Sequence, residues 1–509
     1  MMSLAHHLNS RLRRLRVAHL WPLAVVIGIF VFLNTHPIRP HDFWWHMAAG
    51  REVVTTRLVP TVDTHSFTAT GTPYPAYQVY WFAEAIFYLI YTLGGPALIV
   101  FTHSLIVTTA YALTLWLAYR LTRNWRIAAI ATLFAAALGM SDWNVRPQAF
   151  TFWLAPLFLL AVDAYRRQPR RGLLVVFPLG MALWVNCHGS FPLGLLLIGL
   201  WLADEVWRLA TKPEGRSESP SAGRLTAPTI ALATGLLGCL LNPAGLGILT
   251  YVRDLTSDPA VQQLVPEWAP PTFDTLHGGL FLVALLTTAA LLAISPRRPT
   301  FYELASFLAF GALGLRTTRG AIWFGLVMAP TLADHSAAFV AGLRSPRRNP
   351  PGPEPAMVNR AFAALLCLSA VVTLPWFKRY LPLPPLKAGL ISSETPTEAT
   401  DYLLAHQLPG PIFNEVGFGS YLAWAAQPDY PVFVDPRIEL YPYELWVDYI
   451  EISAARCDWE QELSRYGIHT LMLSPMTQNS LIHAARRSQE WSEIHTNPAA
   501  SIFTRREHP

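Results

Sequence analysis

The sequence is short of charge: Asp, Glu, Lys and Arg make up only 14% of its 509 residues, where soluble globular chains carry about a quarter. It also lacks paired cysteines. Cys187, Cys239, Cys367 and Cys457 show no C-x-x-C spacing, which leaves no disulfide framework and no cysteine zinc motif. Cys239 and Cys367 fall inside apolar runs and read as small core residues. No Lys/Arg cluster is interleaved with aromatics in a polar region, so nucleic acid is not an expected partner. There is no Gly-rich phosphate loop, no nucleophile elbow and no internal repeat. Acids are also absent from the middle of the apolar runs. Asp163, Asp204, Glu205, Glu303 and Asp334 fall near run ends, which argues against a proton-coupled transporter or a polar path for a sugar-lipid.

What is present is apolar sequence in blocks, 52% hydrophobic in all, with 18 Trp and 42 Pro. Candidate spans fall near 18–35, 97–119, 127–141, 149–165, 173–187, 191–208, 226–241, 278–294, 301–315, 320–340 and 359–377. They predict an α-helical polytopic membrane bundle of about 11 transmembrane helices, several short for a bilayer that asks for about 20 residues. Arg11, Arg13, Arg14 and Arg16 precede the first block without a small-x-small cleavage site, so it reads as an uncleaved first helix. The arginines sit in alternate loops, at Arg120–Arg126, Arg166–Arg171, Arg208–Arg224, Arg297/Arg298 and Arg344–Arg348. By the positive-inside rule this gives an N-in, C-out topology in a bacterial inner membrane. To keep that register, 77–93 is read as an interfacial helix, with Tyr80 and Trp81 at headgroup level and Glu84 on its polar face. Residues 1–377 then form the membrane domain, with 36–96 its first outer loop. Lys212–Arg224 and Arg344–Pro355 are solvated inner linkers.

From 378 to 509 the composition is ordinary. Helical stretches near 394–406, 419–426, 443–455, 458–465 and 479–488 alternate with strand-like runs at 412–413, 432–434, 469–473, 492–496 and 500–504. This pattern predicts a C-terminal extramembrane α/β domain, and about 130 residues can bury a core of their own. Its best polar clusters are Asn414 with Glu415, and Asp435 with Arg437; both also suit caps and turns.

Polar residues otherwise gather at the outer helix ends. Asp42 and His46 in HDFWWH share a helix face at i,i+4 spacing, although Asp42 also suits an N-cap. Arg316 and Arg319 in LRTTRG run against the charge bias. They suit a phosphate clamp, or interfacial anchors. Asp142 and Arg146, Asn186 and His188, and Glu267 complete the outer set, with Asp63 and Glu84 as further acids. Asp142 and Arg146 could equally pair with each other. His41, His46, His65 and His188 make a divalent metal conceivable, but no H-x-x-x-H or H-E-x-x-H spacing supports one.

These residues together carry a resemblance. A span, an outer loop opening HDFWWHMAAGREV, R-P-Q at Arg146–Gln148, W-x-N-x-H-G at Trp184–Gly189, N-E-x-x-x-G-x-Y-L at Asn414–Leu422 and D-x-R-x-x-x-Y at Asp435–Tyr441 resemble the C-type (GT-C) membrane glycosyltransferases, and bacterial members of that superfamily most. The resemblance covers most of the chain. It implies sugar transfer from a polyprenyl phosphate donor to an extracytoplasmic glycan, lipid or protein acceptor. Asp42 would be the catalytic base, with a cation or metal at the leaving phosphate. Arg316 and Arg319 suit that phosphate by chemistry and position. Many relatives carry two adjacent acids, whereas Asp42 is flanked by His41 and Phe43, which weakens both a metal role and the base assignment; Asp63 could be the second acid. The competing reading is a non-catalytic scaffold or sensor whose outer domain binds a partner, and a third is a sugar-lipid transporter.

Overall fold

The structure, a computed structural model, describes residues 16–211, 222–343, 356–456 and 458–506. Arg11–Arg14, most of the two linkers and Cys457 lie outside the described residues. Helices dominate 16–372, and a small sheet lies in the C-terminal part. Helices fall on the apolar stretches, and among the described residues five helical segments are long and apolar enough to cross a membrane: Val17–Asn34, Ala76–Thr122, Ala149–Arg167, Leu276–Ile294 and Gly320–Leu343. The chain is a membrane protein.

At the centre lies Gly320–Leu343, which packs on Trp125–Gly139, Phe301–Arg316 and Ala76–Thr122. Trp125–Gly139 is alanine-rich (WRIAAIATLFAAALG), and small side chains let membrane helices approach closely. Thus a Cβ on Gly325 would come within 3.1 Å of the Ala135 carbonyl oxygen. Ala76–Thr122 is broken at Gly94 and Gly95, where Gly95 has φ +60°, before Pro96. Glycine permits that backbone, and the break turns 76–93 away from the spanning half. Ala356–Val372 packs on the first helix and leaves Cys367 exposed, contrary to its reading as a core residue; most side chains of that helix are exposed among the described residues.

Glu84 and its neighbours correct another expectation. The Glu84 side chain is fully buried and pairs with His46 at 2.7 Å. Tyr80 faces inward, and half-buried Trp81 donates to Asn186 Oδ1 at 2.6 Å. The polar face of 77–93 therefore meets protein, because Phe43–Thr56 covers it.

The C-terminal sheet has four strands in the order β1-β2-β4-β3: β1 Ile412–Asn414, β2 Thr470–Leu473, β3 Trp491–Thr496 and β4 Ser501–Arg505. β1 and β2 are parallel, and the other pairs antiparallel. Alternation sends Ile412, Met472 and Ile502 to one core, with Leu403 and Leu422, and Phe413, Leu471 and Phe503 to the other. Helices thus cover both faces, as the fully buried β2 requires. Residues 432–434 are not in this sheet. Their backbone bonds to the first loop and to a side chain instead: Val432 N–H to His65 O, Phe67 N–H to Val432 O, and Phe433 N–H to Asn414 Oδ1. Ile38 similarly pairs with 390–392, and Ser420 Oγ accepts from the Trp45 N–H at 3.0 Å. The first loop is therefore bonded to the tail along much of its length.

Candidate active site

A cavity of about 750 Å³ opens where the first loop, the outer helix ends and the tail meet. Enzyme pockets commonly measure about 300–1,000 Å³. One wall carries a chain of ion pairs. Asp42 sits at the N-terminus of Phe43–Thr56 but makes no side-chain cap bond. Its Oδ2 instead lies 2.8 Å from Arg146 Nε. Arg146 Nη1 reaches both Glu267 carboxylate oxygens at 2.9 Å. Arg319 Nε donates to Glu267 Oε2 at 2.6 Å.

Each member is presented by a short connection. Arg146 follows the one-turn helix Met140–Asp142 and precedes Pro147; Glu267 is in the turn Pro266–Trp268; Arg319 is in the bend before Gly320. The last two are joined by backbone, with Arg319 N–H donating to Glu267 O and Thr318 N–H to Ala269 O. The Arg319 guanidinium lies 5.9 Å from the Trp268 ring centroid. Burial alone would push the Glu267 carboxyl up; Arg319 and then Arg146 outweigh it and hold it down at about 2. Burial opposes the charge on Arg146, but Asp42 and Glu267 raise its affinity for the proton above the ordinary value. The four charges sum to zero, so neither guanidinium stands buried as an unpaired cation.

Beside these pairs, His188 Nδ1 pairs with Ser190 Oγ at 2.9 Å, and burial keeps its imidazole neutral, at about 3. Burial likewise holds His46 well below its usual range. Asp142 is buried with one carboxylate oxygen unpartnered; burial, then Glu267, push it up to about 7.

The opposite wall belongs to the tail. Arg437 is 1% exposed. It binds Asp435 through Nε and Nη2, and Asp63 Oδ1 and the Tyr77 hydroxyl through Nη1, at 2.6 and 2.5 Å. Glu439 accepts from the Tyr74 hydroxyl at 2.9 Å, and burial pushes its carboxyl up. Glu394 and Glu415 also line this wall.

Of the residues singled out in the sequence, Asp42, His46, Arg146, His188, Glu267, Arg319 and Arg437 line the cavity. Arg316 does not: it ends Phe301–Arg316 with an exposed side chain. Asn186 lies behind the wall, bonded to Trp81 and Asn242. Asp63 and Asp435 hold Arg437, Glu84 holds His46, and Asn414 ties 433–434 to β1. Sequence reading missed Tyr74, Tyr80, Glu394 and Glu439. Glu439 lies two residues past Arg437, so that motif held a signal for it. Among the described residues no three His, Cys, Asp or Glu side chains converge as a metal cage.

No protein-family model and no curated protein matches the sequence. Solved structures do. The oligosaccharyltransferase AglB of Archaeoglobus fulgidus, in complex with an inhibitory peptide and a dolichol-phosphate, superposes over 89% of this chain and 69% of its own, at 13% identity and TM-score 0.51. The chain has the GT-C fold. ArnT of Cupriavidus metallidurans, bound to undecaprenyl phosphate, is also similar, at 13% identity over 95% of this chain and 97% of its own, with TM-score 0.49. In this fold the cavity lies between the helical bundle and the tail.

Proposed function

We propose that this protein is a membrane glycosyltransferase that moves a sugar from a polyprenyl phosphate to an acceptor hydroxyl outside the cytoplasm. The observation that carries the reading is the run Asp42–Arg146–Glu267–Arg319 along one cavity wall. It brings together a carboxylate and two guanidinium groups, the base and the anion site that such a transfer requires. AglB, whose fold the chain shares, binds a dolichol-phosphate, which supports a lipid phosphate as the donor's anchor. The bundle spans the plasma membrane about eleven times with its N-terminus inside, and 378–509 stands outside over the cavity.

In the reaction, the acceptor oxygen attacks the anomeric carbon while its proton passes to the Asp42 carboxylate. The anomeric C–O bond breaks, and its electron pair stays on the lipid phosphate. Arg319 and Arg146 take up the charge that develops there. Glu267 keeps both guanidiniums in place beforehand, so little reorganisation is left to the transition state. A positioned base contributes about 10²–10⁴-fold, and the phosphate contacts supply the other large factor. Tyr74 from the first loop, and Glu439 and Arg437 from the tail, offer polar contacts to the acceptor.

Glycan and lipid analysis of a deletion strain tests this. One glycoconjugate is lost, wild-type protein restores it, and Asp42→Asn, expressed at the same level, does not. Full restoration by Asp42→Asn would remove the base, and an unchanged glycan profile on deletion would remove the activity.

A further inference from the structure

A second cleft, of about 580 Å³, lies apart from the catalytic cavity and shares no lining residue with it. Its walls are the helix break at Pro96 and Ala97, the turn Pro375–Tyr380 that follows the last apolar helix, and residues 388–391. Lys378 lines it. That residue is 1% exposed, and its Nζ has no hydrogen-bond partner. A buried ammonium is ordinarily paired, because taking it out of water unpaired is costly. The chain has only three lysines, and a second of them, Lys387, is near enough for its charge to act on Lys378, its ammonium 5.9 Å from the Phe32 ring centroid. Burial and then Lys387 pull the Lys378 ammonium down to about 8. Burial lowers the pKa of His36, and the charges of Lys387, Arg39 and Lys378 lower it further. Arg379 stands at the mouth, its guanidinium 4.7 Å from the Tyr380 ring centroid.

We propose that this cleft binds the phosphate of an anionic membrane lipid, with Lys378 as the buried contact and Arg379 and Lys387 closing around the headgroup. The surroundings favour a lipid over a free anion. Trp376, Phe377 and Tyr380 are exposed at 47%, 46% and 69%, as aromatics are at a membrane–water boundary. Trp376 also leans on Phe101 of the spanning half of the bent helix. Pro96, Ala97 and Ile391 give the cleft an apolar side for the start of an acyl chain. Lysine rather than arginine suits the buried position, since a compact ammonium fits where a planar fork does not.

Native mass spectrometry of the full-length protein, released from detergent with phosphatidylglycerol, diacylglycerol or inorganic phosphate, tests the site. Phosphatidylglycerol is expected to be retained, diacylglycerol not, and Lys378→Met to weaken retention about tenfold, the worth of one charge-assisted hydrogen bond. Should Lys378→Met fail to fold, Lys387→Gln, at a half-exposed position, is expected to weaken retention about threefold. Equal retention by wild type and both variants, or equal retention of diacylglycerol, would overturn the site. Inorganic phosphate bound as tightly as the lipid would overturn the lipid as its ligand.

Discussion

Replacing Glu267 by Gln removes one charge from the centre of the ion-pair chain and keeps the shape of the side chain. Burial opposes the Glu267 charge, yet Arg319 and Arg146 hold its carboxyl at about 2, against an ordinary 4.5. At about 1.4 kcal/mol per tenfold, that gap corresponds to about 3 kcal/mol of folding free energy at neutral pH. The side chain is 26% exposed, so screening trims this to about 2 kcal/mol. The variant also leaves Arg146 and Arg319 facing each other with only Asp42 between them and neutrality, which adds to the loss. Because the folded value is the lower one, this stability is present above the unfolded value and disappears only as pH falls from about 4.5 to about 2. Denaturant unfolding of purified wild type and Glu267→Gln should therefore show the same loss, about 2–3 kcal/mol, at about pH 5.5 and about pH 7.5. Adding Arg319→Met to Glu267→Gln should cost less than Arg319→Met alone, since the partners share one interaction. A loss below about 0.5 kcal/mol, or fully additive single variants, would refute the reasoning.

Arg437→Met, which strands two buried carboxylates, should cost about 3–5 kcal/mol and open the first loop to limited proteolysis; Arg437→Lys should rescue little, because one ammonium cannot reach Asp435 and Asp63 with the same fork. Asp142, raised to about 7, favours the protonated fold. Stability should fall as pH rises from about 4 to about 7 in wild type, and Asp142→Asn should flatten that part of an unfolding profile. Gly419→Ala should lower the yield of folded protein sharply, because the added methyl would collide with the Val434 carbonyl; normal yield and melting would contradict that packing.

The helical blocks were legible because apolar runs of bilayer length leave a chain few other structures. Partners distant in sequence were not. Glu84 read as solvent-facing because nothing in 77–93 tells of His46, 38 residues earlier. Residues 432–434 have the composition of a strand, and their hydrogen bonds go instead to the Asn414 side chain and to a loop more than 360 residues away. Arg316 and Arg319 were equivalent as residue types. Only the end of the helix at Arg316 and the backbone bond from Arg319 to Glu267 separate an exposed arginine from one in the cavity. Asp142 and Arg146 looked like mutual partners four residues apart; Arg146 turns to Asp42 and Glu267 instead. Lys378 drew no notice, since one lysine past an apolar run is ordinary until its burial is known.

Photo-crosslinking addresses the catalytic cavity most directly. A polyprenyl phosphate carrying a photoreactive group on its first isoprene unit would be irradiated with the purified protein and its adducts mapped by peptide sequencing. Adducts confined to 141–148, 255–268 and 316–320, and lost in Arg319→Met, are expected. Adducts elsewhere on the bundle, unchanged in that variant, would contradict the assignment of this cavity to the lipid phosphate.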